Sequence, residues 1–327
     1  MTQSKINKSG KWWLIIKLIL ALLALWFIYL KVISHEQAGG YFDQLQTAFL
    51  QPGAEFFFII VFVLMLLNWT IEALKWKFMI SKIEKVSTGR ALEAVFSGIT
   101  ISFFTPNRIG EYAGRVFHLH KGIRMQATLI TVIENSSQLL ITILTGSIAS
   151  IFYMQEYMEL NSWIFMLMRI LFVALSVLCL ILYFNIDLFE KIFQRFKVNE
   201  YWKQIIHVFS LYSSRELMYV CLLSLARYVI FSFQFFLLLR LYGAYFPLAD
   251  GMLMIAMTFF VMSVVPTFSF AELGIRGAVS AYFFGKLTLD VLPVLNGTFS
   301  LWLINLALPA LAGAFFIFHF RLEKNES

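Results

Sequence analysis

Charged residues are scarce in this chain. Only 14% of its 327 residues are Asp, Glu, Lys or Arg, against about 25% in a soluble globular domain, while 60% are apolar. A water-soluble fold of this size has no means of covering its outside, which excludes a cytosolic enzyme, and so much apolar sequence excludes a disordered chain. Cysteine is nearly absent. Cys179 and Cys221 both lie inside apolar runs, which excludes a disulfide scaffold and a thiol metal cluster. No Gly-rich loop ending in Lys-Ser/Thr, no nucleophile elbow and no His-Glu-x-x-His occurs. The longest hydrophilic stretch, 185–215, is too short for a catalytic domain. The chain is therefore expected to be no enzyme and to hold no cofactor and no metal.

What is abundant is long apolar runs. They fall at 12–33, 56–76, 126–152, 163–184, 216–241 and 294–318. Each is long enough to cross ~30 Å of hydrocarbon at ~1.5 Å per residue with some tilt. The first follows a basic flank but is too long for a signal peptide, so it reads as a retained span. Two further stretches, 91–119 and 249–285, are interrupted near their middles, by Pro106 and Gly110 and by Pro266 and Gly274. Broken backbone at membrane depth is tolerated only where it is buried in protein or lines a wet cavity. The expected fold is an all-α polytopic membrane protein with six full transmembrane helices and two re-entrant broken-helix hairpins.

The net charge of +7 has a positional meaning in such a protein. Most lysines and arginines gather at the N-terminus, at 75–90, around 108–124, at 185–215 and in the C-terminal tail, whereas 34–54, 153–162 and 242–250 carry none. The positive-inside rule makes the basic side cytoplasmic, with both termini on that side, and makes anionic membrane lipid, not nucleic acid, the natural partner. The first broken segment then enters from the cytoplasm and the second from outside. Within a single integral membrane domain spanning 1–327, residues 12–155 and 163–318 repeat the same order with opposite orientation. Inverted repeats in transporters place the substrate site at the repeat interface.

The two broken segments also resemble each other. Pro106, Glu111 and Arg115 in the first match Pro266, Glu272 and Arg276 in the second, and each Glu-to-Arg spacing of four puts both side chains on one helix face. An ionisable side chain at bilayer depth costs roughly 2.5–3.5 kcal/mol on insertion scales, so these groups must be paired or wet. The half-helices starting near Gly110 and Leu273 offer N–H groups to an anion, and Arg108 and Arg115 suit phosphate. Glu134 and Gln138 share a face of the 126–152 span, either as hydrogen-bonding partners in the bundle or as the polar wall of a lipid or ion path. Arg227 and Gln234 are placed to face Glu134 or Glu272. Asn68 and Glu72 are four apart, and Glu72 with Lys75 reads as an interfacial pair. His118 and His120 point apart on a helix, against a metal site. Trp12, Trp13, Trp76 and Trp163 read as interface anchors.

The run Phe104-Thr105-Pro106-Asn107-Arg108-Ile109-Gly110-Glu111-Tyr112 with Arg115, and the run from Pro266 through Ala271-Glu272-Leu273-Gly274-Ile275-Arg276, resemble the lysylphosphatidylglycerol synthase transmembrane-region family over about 10–320. The sequence departs from that pattern at Asn135 and Gln138, which replace charged partners, and at Phe268-Ser269-Phe270, where glycine is common. The resemblance implies a flippase-like, lipid-translocating bundle with the two motif regions at its core, in a stand-alone form without the soluble aminoacyltransferase domain. The expected function is a flippase for anionic phospholipid or a lipid-linked substrate in the bacterial cytoplasmic membrane. The expected substrate-binding residues are Arg108, Glu111, Arg115, Glu134, Arg227, Glu272 and Arg276. Two alternatives remain: a secondary transporter of a small anion, and a non-catalytic accessory to envelope lipid assembly, which would have a membrane-protein partner.

Overall fold

The computed structural model describes residues 46–48, 50–105, 108–194, 199–265 and 269–326. The first expected span, with Trp12 and Trp13, and the prolines Pro106 and Pro266 lie outside the described residues. The chain divides into Met1–Gln51 and Pro52–Ser327. In the first unit, residues 46–48 and 50 are helical. In the second, all regular structure among the described residues is helical.

Among the described residues five helices are long and apolar enough to cross a membrane: α1 (Ala54–Ile80), α4 (Arg124–Tyr157, preceded by a 3₁₀ turn), α5 (Ser162–Phe184), α8 (Ser214–Leu241), and a last segment, Leu292–Ile317. That last segment comprises α11 (Leu292–Trp302) and α12 (Leu308–Glu326), joined by a π-helical turn at Leu303–Ala307. These match the five described runs in the sequence. Asn161 caps α5, and Ser213 with Glu216 forms a reciprocal capping box that starts α8. Helix α5 has none of its most apolar stretch buried inside the protein, and apart from Arg169 the long side chains it exposes are apolar, as suits a lipid-facing helix. Short helices α6 (Asp187–Gln194) and α7 (Glu200–Ile206) lie between α5 and α8.

The two interrupted stretches each form a pair of short helices. The first is α2 (Thr88–Ser102) and α3 (Gly110–Val116); the second is α9 (Leu248–Val264) and α10 (Ser269–Phe284). At 15 and 17 residues, α2 and α9 reach only about 22 and 25 Å, short of the ~30 Å of a bilayer core. Helix α3 packs back against α2 so closely that a Cβ on Gly114 would stand 2.5 Å from the Cα of Gly98. Gly110 is needed for the same turn, because a Cβ there would meet the Ile101 carbonyl oxygen at 2.6 Å. Gly274 is different. It was expected at the break of the second hairpin, but α10 already begins at Ser269, Gly274 lies inside that helix, and nothing stands within 4 Å of its Cβ position.

Around this frame α8 packs on α1, α9 on α4, α11 on α8 and α10, and α12 on α2. Thr100 donates to the Ala310 carbonyl at 2.7 Å, tying the first hairpin to the last helix.

Candidate functional site

Two ionic assemblies occupy the bundle. The first is built on Arg115 of α3, whose side chain is fully buried. Its guanidinium donates to Glu134 at 2.9 Å, to Glu72 at 2.5 Å and to Glu111 one turn earlier on its own helix. Lys75 bridges Glu72 at 3.0 Å and Glu134 at 2.7 Å, and donates to Ser224 of α8 at 3.3 Å. Arg227, on α8, pairs with Glu72 and donates to Asn68 at 3.0 Å and Gln138 at 3.4 Å. Three cations thus meet three carboxylates. Burial without such pairing would be prohibitive for every member.

This arrangement corrects several expectations. Glu72 and Lys75 are no interfacial pair; they are at most 3% exposed and sit at the centre of the assembly. Lys75 and Arg115 are therefore not loop charges, although Lys77, Lys82, Lys85, Arg90, Lys121 and Arg124 keep this region basic. Arg227 faces Glu72, not Glu134 or Glu272. Gln234 donates to the Val61 carbonyl at 2.9 Å and accepts from Asn305 at 2.9 Å. Trp76 is fully buried with its ring N–H on Thr131 at 3.1 Å, so it is no interface anchor, whereas Trp163 is exposed. Arg115 is committed to three glutamates and has no route to a phosphate ligand. The start of α3 offers none either: the Gly110 N–H is held by Thr105 at 2.7 Å, and those of Glu111 and Tyr112 by the Arg108 and Ile109 carbonyls. His118 contacts Ser97 Oγ at 2.9 Å; burial and the nearby Arg90 charge push its imidazole down to about 4, as suits a neutral packing group. No group of three His, Cys, Asp or Glu placed to hold a metal occurs among the described residues.

The second assembly joins the two hairpins. Arg108, between α2 and α3, adopts a left-handed backbone with φ of 56° and donates to both oxygens of Glu272 at 2.9 and 3.0 Å. Arg276, one turn on along α10, donates to the same carboxylate at 2.6 Å. One carboxylate is thus shared by two guanidinium groups, one from each hairpin.

Arg108, Glu272 and Arg276 border a cavity of about 580 Å³, within the ~300–1,000 Å³ typical of ligand sites. Arg227, Asn68 and Gln138 line it from α8, α1 and α4, each roughly midway along its helix. Trp69, Phe231, Phe259 and Trp302 supply apolar wall. Asn305 and Leu306, in the π-helical turn, also line it, and such turns often mark functional positions. Of the seven candidate site residues, four border this cavity: Arg108, Arg227, Glu272 and Arg276. Glu111, Arg115 and Glu134 belong to the neighbouring closed assembly. The roles of Trp69, Trp302 and Asn305 had no signal in the sequence. That of Asn68, Glu72 and Lys75 had one: spacings of four and three place all three on one helix face.

A sequence profile of the Lysylphosphatidylglycerol synthase TM region family matches residues 14–291, most of the chain. The chain belongs to this family. The match ends just before α11, short of the 10–320 over which the motifs resemble the family. Comparison with curated proteins and with solved structures returns no match. Family and apolar helices together make this a multi-pass membrane protein of a lipid-related family.

Proposed function

We propose that the protein translocates an anionic phospholipid or lipid-linked substrate across the bacterial cytoplasmic membrane, with both termini cytoplasmic and without catalysing a covalent reaction. The cavity carries this reading. It combines Arg108 and Arg276 on Glu272, and Arg227 paired with Glu72, with aromatic and aliphatic walls, at the mid-depth of the helices that line it. That pairing suits an amphiphile with a phosphate at one end. Its placement beside two broken helices is also the geometry in which an inverted repeat holds its substrate.

The test is reconstitution into vesicles holding a fluorescent anionic phospholipid in both leaflets, with dithionite quenching from outside. Protein-dependent quenching of the inner-leaflet pool, reduced by Arg276→Gln, is the expected result. Quenching that stops at the outer-leaflet half with wild-type protein refutes it. Efflux of a soluble anion without lipid movement favours the small-anion carrier instead.

A further inference from the structure

Charge balance separates the two assemblies. Around Arg115, three cations meet three carboxylates and the sum is neutral. Around Glu272, two cations meet one carboxylate, leaving one excess positive charge. Among the described residues no second carboxylate hydrogen-bonds to Arg108 or Arg276; Glu111, on the Arg108 hairpin, is bonded to Arg115 and reaches Arg108 through its field alone. The two guanidinium groups are also far from saturated. Both Arg108 bonds leave from one terminal nitrogen, Arg276 gives a single bond, and its buried Nε has no partner among the described residues. The Arg108 side chain is 42% exposed and that of Arg276 13%. An unbalanced charge inside a membrane bundle is costly, and an anion in the adjoining cavity removes the imbalance.

We infer that the cavity is charge-matched to a monoanionic phosphodiester headgroup carrying no amine. One negative charge cancels one excess guanidinium, and acceptor-only oxygens take the spare N–H donors. An amine would meet the uncompensated charge of Arg108 and Arg276, and the one carboxylate on the wall is already occupied by both. A phosphomonoester, at about −1.5 to −2, would overshoot the balance. A zwitterionic or aminoacylated headgroup would leave it uncorrected. That the headgroup belongs to a lipid rests on the translocator reading; the charge match does not.

The experiment is native mass spectrometry of the full chain equilibrated with equal amounts of phosphatidylglycerol, phosphatidylethanolamine, phosphatidic acid and lysyl-phosphatidylglycerol. Phosphatidylglycerol should be retained about tenfold over the amine-bearing lipids, the worth of one charge-assisted hydrogen bond. Arg276→Gln should abolish that preference. Arg108→Gln, at an exposed side chain, carries the same expectation if Arg276→Gln does not fold. Glu272→Gln adds a second excess charge and should move the preference to phosphatidic acid. Equal retention of lysylated lipid, or a ranking unchanged by Glu272→Gln, overturns the inference. Vesicle flipping that ignores headgroup charge also overturns it, while leaving the translocator standing. Selective retention without flipping supports the charge match and removes the translocator. Full competition by soluble glycerophosphoglycerol likewise supports the match and assigns the site to a small anion.

Discussion

Glu72 is the position where the neutral assembly is most vulnerable. It contacts Lys75 at 3.0 Å, Arg115 at 2.5 Å and Arg227, and its side chain is only 3% exposed. Glu72→Gln keeps its volume but removes one charge, leaving three cations on two carboxylates. Removing one member of a buried ion pair costs about 3–5 kcal/mol, chiefly through the stranded partner. Arg227→Gln added to Glu72→Gln restores the balance, so the double variant should recover roughly 1–3 kcal/mol relative to the sum of the singles. Glu111→Gln is the internal control. Among the described residues Glu111 is bonded to Arg115 alone and reaches Arg108 through its field, and its side chain is 17% exposed, so its loss should cost about 1–2 kcal/mol. The assay is reversible unfolding of purified protein in mixed micelles titrated with sodium dodecyl sulfate, followed by circular dichroism. Additivity within about 0.5 kcal/mol would refute the charge-balance reasoning, and a Glu111→Gln penalty equal to that of Glu72→Gln would refute the ranking by burial and number of partners.

The same unfolding assay separates two glycines. Gly114→Ala forces a methyl into the backbone of α2 and should cost about 1–3 kcal/mol, whereas Gly274→Ala meets open space inside a helix and should be neutral or stabilising by about 0.4–1 kcal/mol. His118 binds its proton less readily in the folded protein than in the unfolded chain. Its contribution is therefore complete above the unfolded value near 6.5 and is lost as pH falls toward 4, so stability should rise with pH across that window. His118→Gln should flatten the slope; an unchanged slope would assign it to other groups. For orientation, single cysteines at Lys85 and Arg215, in a background lacking Cys179 and Cys221, should react with an impermeant maleimide only in inside-out vesicles. Cysteines at Glu159 and Tyr245 should react only in right-side-out ones, and the reverse pattern would overturn the proposed topology.

The spans were readable because length and high mean hydropathy survive a few internal charges, and α1, α4, α5, α8 and the last segment have both. The pairs Glu111–Arg115 and Glu272–Arg276 were readable because helical spacing of four brings side chains together whatever surrounds them. What was not readable depends on distance between elements. Nothing local indicates that Lys75, one turn from basic loop residues, is fully buried against Glu134, 59 positions away. Hydropathy counts a lysine near a helix end as interfacial, and the approach of α4 and α8 turns it inward. Gly274 was misassigned for a related reason. Glycine beside a proline-containing stretch suggests a break, yet helix propensity tolerates it once the flanking residues are already in the helix.

The backbone of Arg108 bears on why the excess charge is retained. A left-handed conformation at a non-glycine residue costs about 1 kcal/mol or more, and Asn or Gly adopts it more cheaply. Arginine there is not a backbone solution. Its side chain reaches from the break of one hairpin to Glu272 of the other, and this ion pair holds the two hairpins together across the cavity edge. Stability alone would be served as well by one arginine per carboxylate, since Arg276 already neutralises Glu272 from its own helix. Arg108 therefore adds both strain and an unbalanced charge to a carboxylate that does not need it. Both costs acquire a purpose if the guanidinium is shared between Glu272 and a ligand phosphate. The neutral assembly around Arg115 is then what allows the cavity rim to remain charged: it fixes α1, α3, α4 and α8 through neutralised contacts, so that the rim pair has only the two hairpins to hold.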